Sequence, residues 1–69
     1  MIGDRIKLLR EGQKQSQEEL ANTIEMHSNT VARWERGELT PRGTSLARLA
    51  QALNTTTAYL LGETDNPKR

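Results

Sequence analysis

The apolar positions of the chain fall into short groups at helical spacing, separated by polar punctuation, and they predict five helices. Ile2, Ile6 and Leu9 recur at i, i+4 and i+7, which turns one face of a helix from Ile2 to about Gly12 toward a core. The stretch from Gly12 to Gln15 reads as a linker with a glycine stop. Ser16 is a good N-cap, and Glu19 at the third helical position completes a capping box that opens a second helix carrying Leu20, Ala21 and Ile24. Val31 and Trp34 anchor a third helix from about Ser28 to Arg36, and Gly37 supplies its left-handed stop. The segment 37–43, GELTPRG, reads as a loop with Leu39 tucked inward. Thr44 is placed to cap a fourth helix with Leu46, Leu49, Ala50 and Leu53 as its stripe. Asn54 suits a left-handed stop, and Thr56 the N-cap of a last short helix holding Tyr59, Leu60 and Leu61.

Only about three residues, Glu25 to His27, separate the second and third helices, and so short a link makes them cross at a large angle, as in a helix-turn-helix. At about 100° per residue, Val31 and Trp34 define the buried side of the third helix, with His27 and Glu35 flanking it. Asn29, Ala32, Arg33 and Arg36 fall opposite, and Ser28 stands at the exposed N-terminal shoulder. An amide, a methyl group and two guanidiniums match what base edges offer: Asn to adenine, Arg to guanine, a methyl-sized surface to thymine. On an isolated helix the same residues would be an ordinary solvated face. Their place on the second helix of this motif favours recognition.

Composition narrows the possibilities. A 69-residue chain with 33% hydrophobic residues, one Trp, one Tyr and no Phe makes one domain with a small core. Ordering each residue costs roughly 1.5 kcal/mol, which favours an all-α design with short loops. The absence of cysteine excludes disulfides and thiolate metal sites and fits a cytoplasmic setting. No apolar run reaches the length of a membrane span, and no signal-peptide pattern appears. The net charge of +1 does not itself argue for nucleic acid, so any electrostatic footprint must lie in the distribution: acids at Glu18 and Glu19, cations at Arg33, Arg36 and Arg42. The single histidine, His27, has no companion ligands at metal spacing and reads as a capping or edge-of-core residue. One histidine cannot build a Ser/His/Asp set, and there is no glycine-rich phosphate loop, so an enzyme is not expected. Trp34, central and three residues after Val31, belongs to the core rather than to a base stack. Arg5 and Lys7 read as solvated, whereas Arg10 lies at the edge of the first apolar face.

SQEELA (16–21), V-x-x-W-E-x-G (31–37), P-x-x-x-x-L-x-x-L-A-x-A-L (41–53) and YLLG (59–62), in this order, resemble the Cro/repressor-like family of phage and bacterial transcriptional regulators. The resemblance covers residues 2 to 62 and leaves 63–69 as a polar, fraying tail. It implies a compact five-helix domain whose third helix enters the major groove of operator DNA. Gln17, Ser28, Asn29, Ala32 and Arg33 would then meet bases, and Ser16, Gln17, Arg36, Thr40 and Arg42 would hold phosphates. It further implies a partly buried ion pair between Arg10 and Glu35, both of which fall at the inward edges of their helices. Members bind pseudo-palindromic operators as dimers, with half-sites roughly 34–36 Å apart. Tyr59, Leu60 and Leu61 cannot all turn inward on one short helix, and the family's dimer contact lies in this region, at Tyr59 and Leu60. A small patch there implies a weak homodimer that operator DNA strengthens. No cofactor, metal, membrane or small-molecule substrate is implied. The chain departs from its relatives at Gln13 and Gln15, where apolar residues are usual, at Glu25 for Gly, at His27 for Ser or Thr, and at Thr55 for Val. A residue such as Glu25 resists the positive φ that this turn demands. The alternative reading is a protein-interaction module on the same fold, an antitoxin or regulatory-subunit domain. The polar face of Asn29, Arg33 and Arg36 argues against it.

Overall fold

In a computed structural model, which describes all residues from Met1 to Arg69, the chain forms five α-helices: α1 (Ile2–Gly12), α2 (Gln17–Thr23), α3 (Ser28–Glu35), α4 (Gly43–Ala52) and α5 (Thr57–Leu60). The expected all-α, five-helix class is thus the observed one. α2 opens with the capping box: the Glu19 N–H donates to Ser16 Oγ at 3.0 Å, and the Ser16 N–H donates to Glu19 Oε1 at 2.8 Å. At α5 the Tyr59 N–H donates to Thr56 Oγ1 at 3.0 Å.

Every helix ends by the same device. The chain turns left-handed one residue past the C-cap, and the next N–H reaches back five residues to a carbonyl of the last turn. The N–H to carbonyl pairs are Gln15 to Arg10, Met26 to Ala21, Glu38 to Arg33, Thr55 to Ala50 and Glu63 to Ala58, at 2.8–3.1 Å. Gly37 and Gly62 take the left-handed position after α3 and α5, but Lys14, Glu25 and Asn54 take it after α1, α2 and α4, with φ of 58°, 60° and 56°. Glu25 therefore adopts the positive φ that the motif demands in spite of its side chain. Gly12, in contrast, remains inside α1 and the stop falls at Lys14.

Ile6, Leu20, Val31, Leu49 and Leu60 are fully shielded from solvent, with Ala21, Ile24, Trp34, Ala50, Leu53 and Tyr59 completing the core. α2 packs on α3, α1 on both α3 and α5, and α4 on α5. The approach of α1 to α3 depends on Gly3. A Cβ there would lie 2.4 Å from the Trp34 carbonyl oxygen and 2.8 Å from that of Glu35, so only hydrogen fits between the two backbones.

Four expectations are corrected. Thr44 does not cap α4: the Ser45 and Leu46 N–H groups turn back to the Arg42 carbonyl, so the first turn closes on Arg42. In the preceding loop Pro41 is buried and Leu39 is exposed, because the ring rather than the leucine anchors the segment. Tyr59 and Leu60 both lie in the monomer core, which removes them as a dimer contact; Leu61, 48% exposed, is the member of the trio left outside. Arg5 is not solvated either. Its Nη1 donates to the carbonyls of Tyr59 at 2.7 Å and Thr64 at 2.6 Å, its Nη2 donates to Asp65 Oδ1 at 2.8 Å, and its guanidinium stacks 4.3 Å from the Tyr59 ring centre. Residues 63–69 carry no helix, yet they are tied back to the domain through Arg5 and through the Thr55 hydroxyl, which donates to the Pro67 carbonyl at 2.6 Å.

Candidate nucleic-acid interface

Burial of Val31 and Trp34 fixes the rotation of α3, and a buried ion pair fixes its inner edge. Arg10 Nε donates to Glu35 Oε2 at 2.6 Å and Arg10 Nη2 to Glu35 Oε1 at 3.0 Å, the bidentate geometry in which a guanidinium best matches a carboxylate. The Glu35 side chain is only 4% exposed and that of Arg10 10%. Two more groups complete the network: Arg10 Nη1 donates to the Gln15 carbonyl at 2.7 Å, and Gln17 Nε2 donates to Glu35 Oε1 at 3.1 Å. The hydrogen bond that Arg10 donates to Glu35 holds its guanidinium above its ordinary pKa, against the opposing effect of burial. The pair expected from the resemblance is therefore present, and it joins α1, the turn after it, α2 and α3 at one point.

On the far side, Ser28, Asn29, Arg33 and Arg36 are exposed and Ala32 is half-buried, in agreement with the phasing read from Val31 and Trp34. His27 occupies the N-cap position of α3 but makes no capping hydrogen bond with its side chain, so the first N–H groups of the helix are left open toward solvent. Thr40 and Arg42 are exposed on the loop that leads into α4. Gln17 is half-buried, its amide nitrogen turned to Glu35. In the capping box Ser16 uses its N–H as a donor and its Oγ as an acceptor, which leaves the hydroxyl proton free to donate.

One residue on this face was not legible in the chain. Glu38 Oε2 accepts from Arg36 Nε at 2.7 Å, Glu38 Oε1 accepts from Arg36 Nη2 at 3.2 Å, and Arg33 Nε lies 3.8 Å from Oε1 of the same carboxylate. The hydrogen bond with Arg36 holds the Glu38 carboxyl below its usual range and, reciprocally, raises Arg36. Glu38 follows the helix stop, and neither i,i+3 nor i,i+4 spacing links it to the arginines; only the reversal at Gly37 brings it over the last turn. No group of His, Cys, Asp and Glu is placed to hold a metal ion, and no helix is long and apolar enough to cross a membrane.

Comparison with known proteins bears on this geometry. The chain is 34% identical over 60 residues to the HTH-type transcriptional regulator DicA of Escherichia coli K12, covering 87% of this chain but 44% of DicA, so it spans less than half the length of that relative. The fold is similar to the solution structure of the DNA-binding domain of the P22 c2 repressor, with a TM-score of 0.85 and 33% identity over 88% of this chain and 80% of that one. It is equally similar to the P22 c2 repressor crystallised with a synthetic operator, with a TM-score of 0.85 and 32% identity over 87% of this chain and 91% of that one. A helix-turn-helix family profile matches residues 6–60, from the core of α1 to the end of α5. This chain belongs to the helix-turn-helix family, in its Cro/repressor-like branch.

Proposed function

We propose that this chain reads double-stranded operator DNA in a sequence-specific way, as the DNA-binding domain of a transcriptional repressor of phage or prophage type, with α3 laid in the major groove. The observation that carries this reading is the division of α3 into two faces. Val31, Trp34 and the Arg10–Glu35 pair hold one face rigidly inward, and Asn29, Arg33 and Arg36 stand out on the other. Similarity to a regulator and to a repressor solved on its operator supports it.

In this reading Ser28, Asn29, Ala32 and Arg33 meet base edges, Asn29 suiting adenine and Arg33 guanine. Gln17 has its carbonyl oxygen and one amide hydrogen left for a base or a phosphate while it remains on Glu35. Arg36, Thr40 and Arg42 hold phosphates, helped by the free N–H groups at the starts of α2 and α3. Ser16 contributes by shaping the first turn of α2. Two copies occupy one pseudo-palindromic site, with Leu61 in place of the buried Tyr59 and Leu60 at the contact between them, and the protein works in the bacterial cytoplasm, where its operator is. An exposed contact of that size gives weak pairing in free solution and stronger pairing on DNA.

Selection of bound duplexes from a random pool tests the reading. The expected product is one motif made of two inverted half-sites, with centres roughly 34–36 Å apart. Failure to enrich any motif over the starting pool would overturn it.

A further inference from the structure

The feature of the recognition face that the proposed function leaves unused is Glu38. Its position is built rather than incidental: Gly37, at φ 78°, reverses the chain, and the Glu38 N–H donates to the Arg33 carbonyl at 2.9 Å. That hydrogen bond sets the Glu38 carboxylate against the last turn of α3, where it accepts from Arg36 with both oxygens and stands near Arg33. All three side chains are about half exposed, Arg33 47%, Glu38 51% and Arg36 53%, so each can leave the cluster without breaking the core.

We infer that Glu38 is a specificity-determining residue, one that gives the recognition arginines a carboxylate partner in place of DNA phosphate when the correct base is absent. The inference rests on the DNA-reading function proposed above. Two kinds of acceptor compete for Arg33 on a duplex. Guanine offers two in bidentate geometry and exists only at matching sites, whereas phosphates are present along every sequence. With Glu38 beside it, Arg33 already has an anionic partner and gains less from a phosphate than a free guanidinium would. The carboxylate also repels the phosphates that Arg36 approaches. The repulsion acts on both complexes alike, whereas the exchange at Arg33 weakens the non-specific complex selectively, because the correct guanine compensates for the loss of Glu38 in the specific one. Specificity then comes partly from disfavouring the wrong complex.

The test measures dissociation constants by fluorescence anisotropy, at one fixed salt concentration, for the selected operator and for a scrambled duplex of equal length. The proteins are wild type, Glu38→Gln, Glu63→Gln, Arg33→Ala, and Arg33→Ala combined with Glu38→Gln. Glu63 is an exposed carboxylate after α5, and its neutralisation changes net charge by the same amount. Glu38→Gln should tighten the scrambled duplex by about fivefold, the upper range for a surface ion pair, and the operator by less than about twofold. Glu63→Gln should shift both duplexes alike. On the Arg33→Ala background, Glu38→Gln should also shift both alike, since the residue it restrains is gone. Equal tightening of both duplexes by Glu38→Gln with Arg33 present would overturn the inference while leaving DNA reading intact, and so would no change on the scrambled duplex. A wild-type protein that binds neither duplex would remove the DNA reading itself, and the role of Glu38 with it.

Discussion

Arg10–Glu35 and Arg36–Glu38 are close to the same contact drawn twice. In each, an arginine Nε meets one carboxylate oxygen, at 2.6 and 2.7 Å, and Nη2 meets the other, at 3.0 and 3.2 Å. Their surroundings are opposite. The first pair is nearly closed off from water and joins residues 25 apart on two helices; the second is half exposed and joins residues two apart on one turn. Burial raises the stakes of the first, because removing either member leaves the other charged in a poorly solvated site. In the second, water replaces a lost partner readily, and the pair costs little to open. One pair can therefore hold α3 in place, while the other can be exchanged for a phosphate or a base.

The largest expected effect comes from breaking the buried pair. Arg10→Ala or Glu35→Ala should destabilise the fold by roughly 3–5 kcal/mol in urea unfolding. The double variant should lose clearly less than the sum of the two, and additive losses would mean that the two side chains do not interact. The same cycle on Arg36 and Glu38 should leave the unfolding midpoint essentially unchanged. Next in size is Gly3→Ala, which inserts a methyl group against the Trp34 and Glu35 carbonyls and pushes α1 off the end of α3. A loss of about 1–3 kcal/mol is expected, typical of overpacking, and an unchanged midpoint would show that the two backbones do not meet so closely. Smaller still, and opposite in sign, are Lys14→Gly and Glu25→Gly. Each relieves a side chain at positive φ and, net of the added flexibility of the unfolded chain, should stabilise by roughly 0.5–1 kcal/mol in urea unfolding; an unchanged or lowered midpoint would show that the turn stores no such strain.

The contrast between the pairs also marks how far the chain could be read. Local signals carried well: the Ser16–Glu19 capping box, the left-handed Asn54, the inward Val31 and Trp34 and the outward Asn29 and Arg33 all follow from spacings within one or two turns. Arg10 and Glu35 were legible because each lies at the edge of a helical stripe and the family resemblance joins them. What escaped depends on how the elements meet. Gly3 carries no apolar signal, and its value appears only where two backbones touch. Arg5 finds Tyr59, Thr64 and Asp65 more than 50 residues away, and Glu38 meets its arginines only through the reversal at Gly37. Leu39 and Pro41, like the trio Tyr59 to Leu61, show that an apolar residue in a short element can face either way until its neighbours are in place.

The claim at the centre of this picture is that the outer face of α3 reads bases through Arg33 while Arg36 grips the backbone. The most direct test compares Arg33→Ala and Arg36→Ala on the selected operator and on its single-base-pair variants across a salt series. Arg33→Ala should cost about 1–3 kcal/mol on the preferred site and flatten the preference at one base pair. Arg36→Ala should weaken all sequences alike and lower the salt slope by about one. Uniform weakening by Arg33→Ala, with every base preference retained, would contradict the assignment.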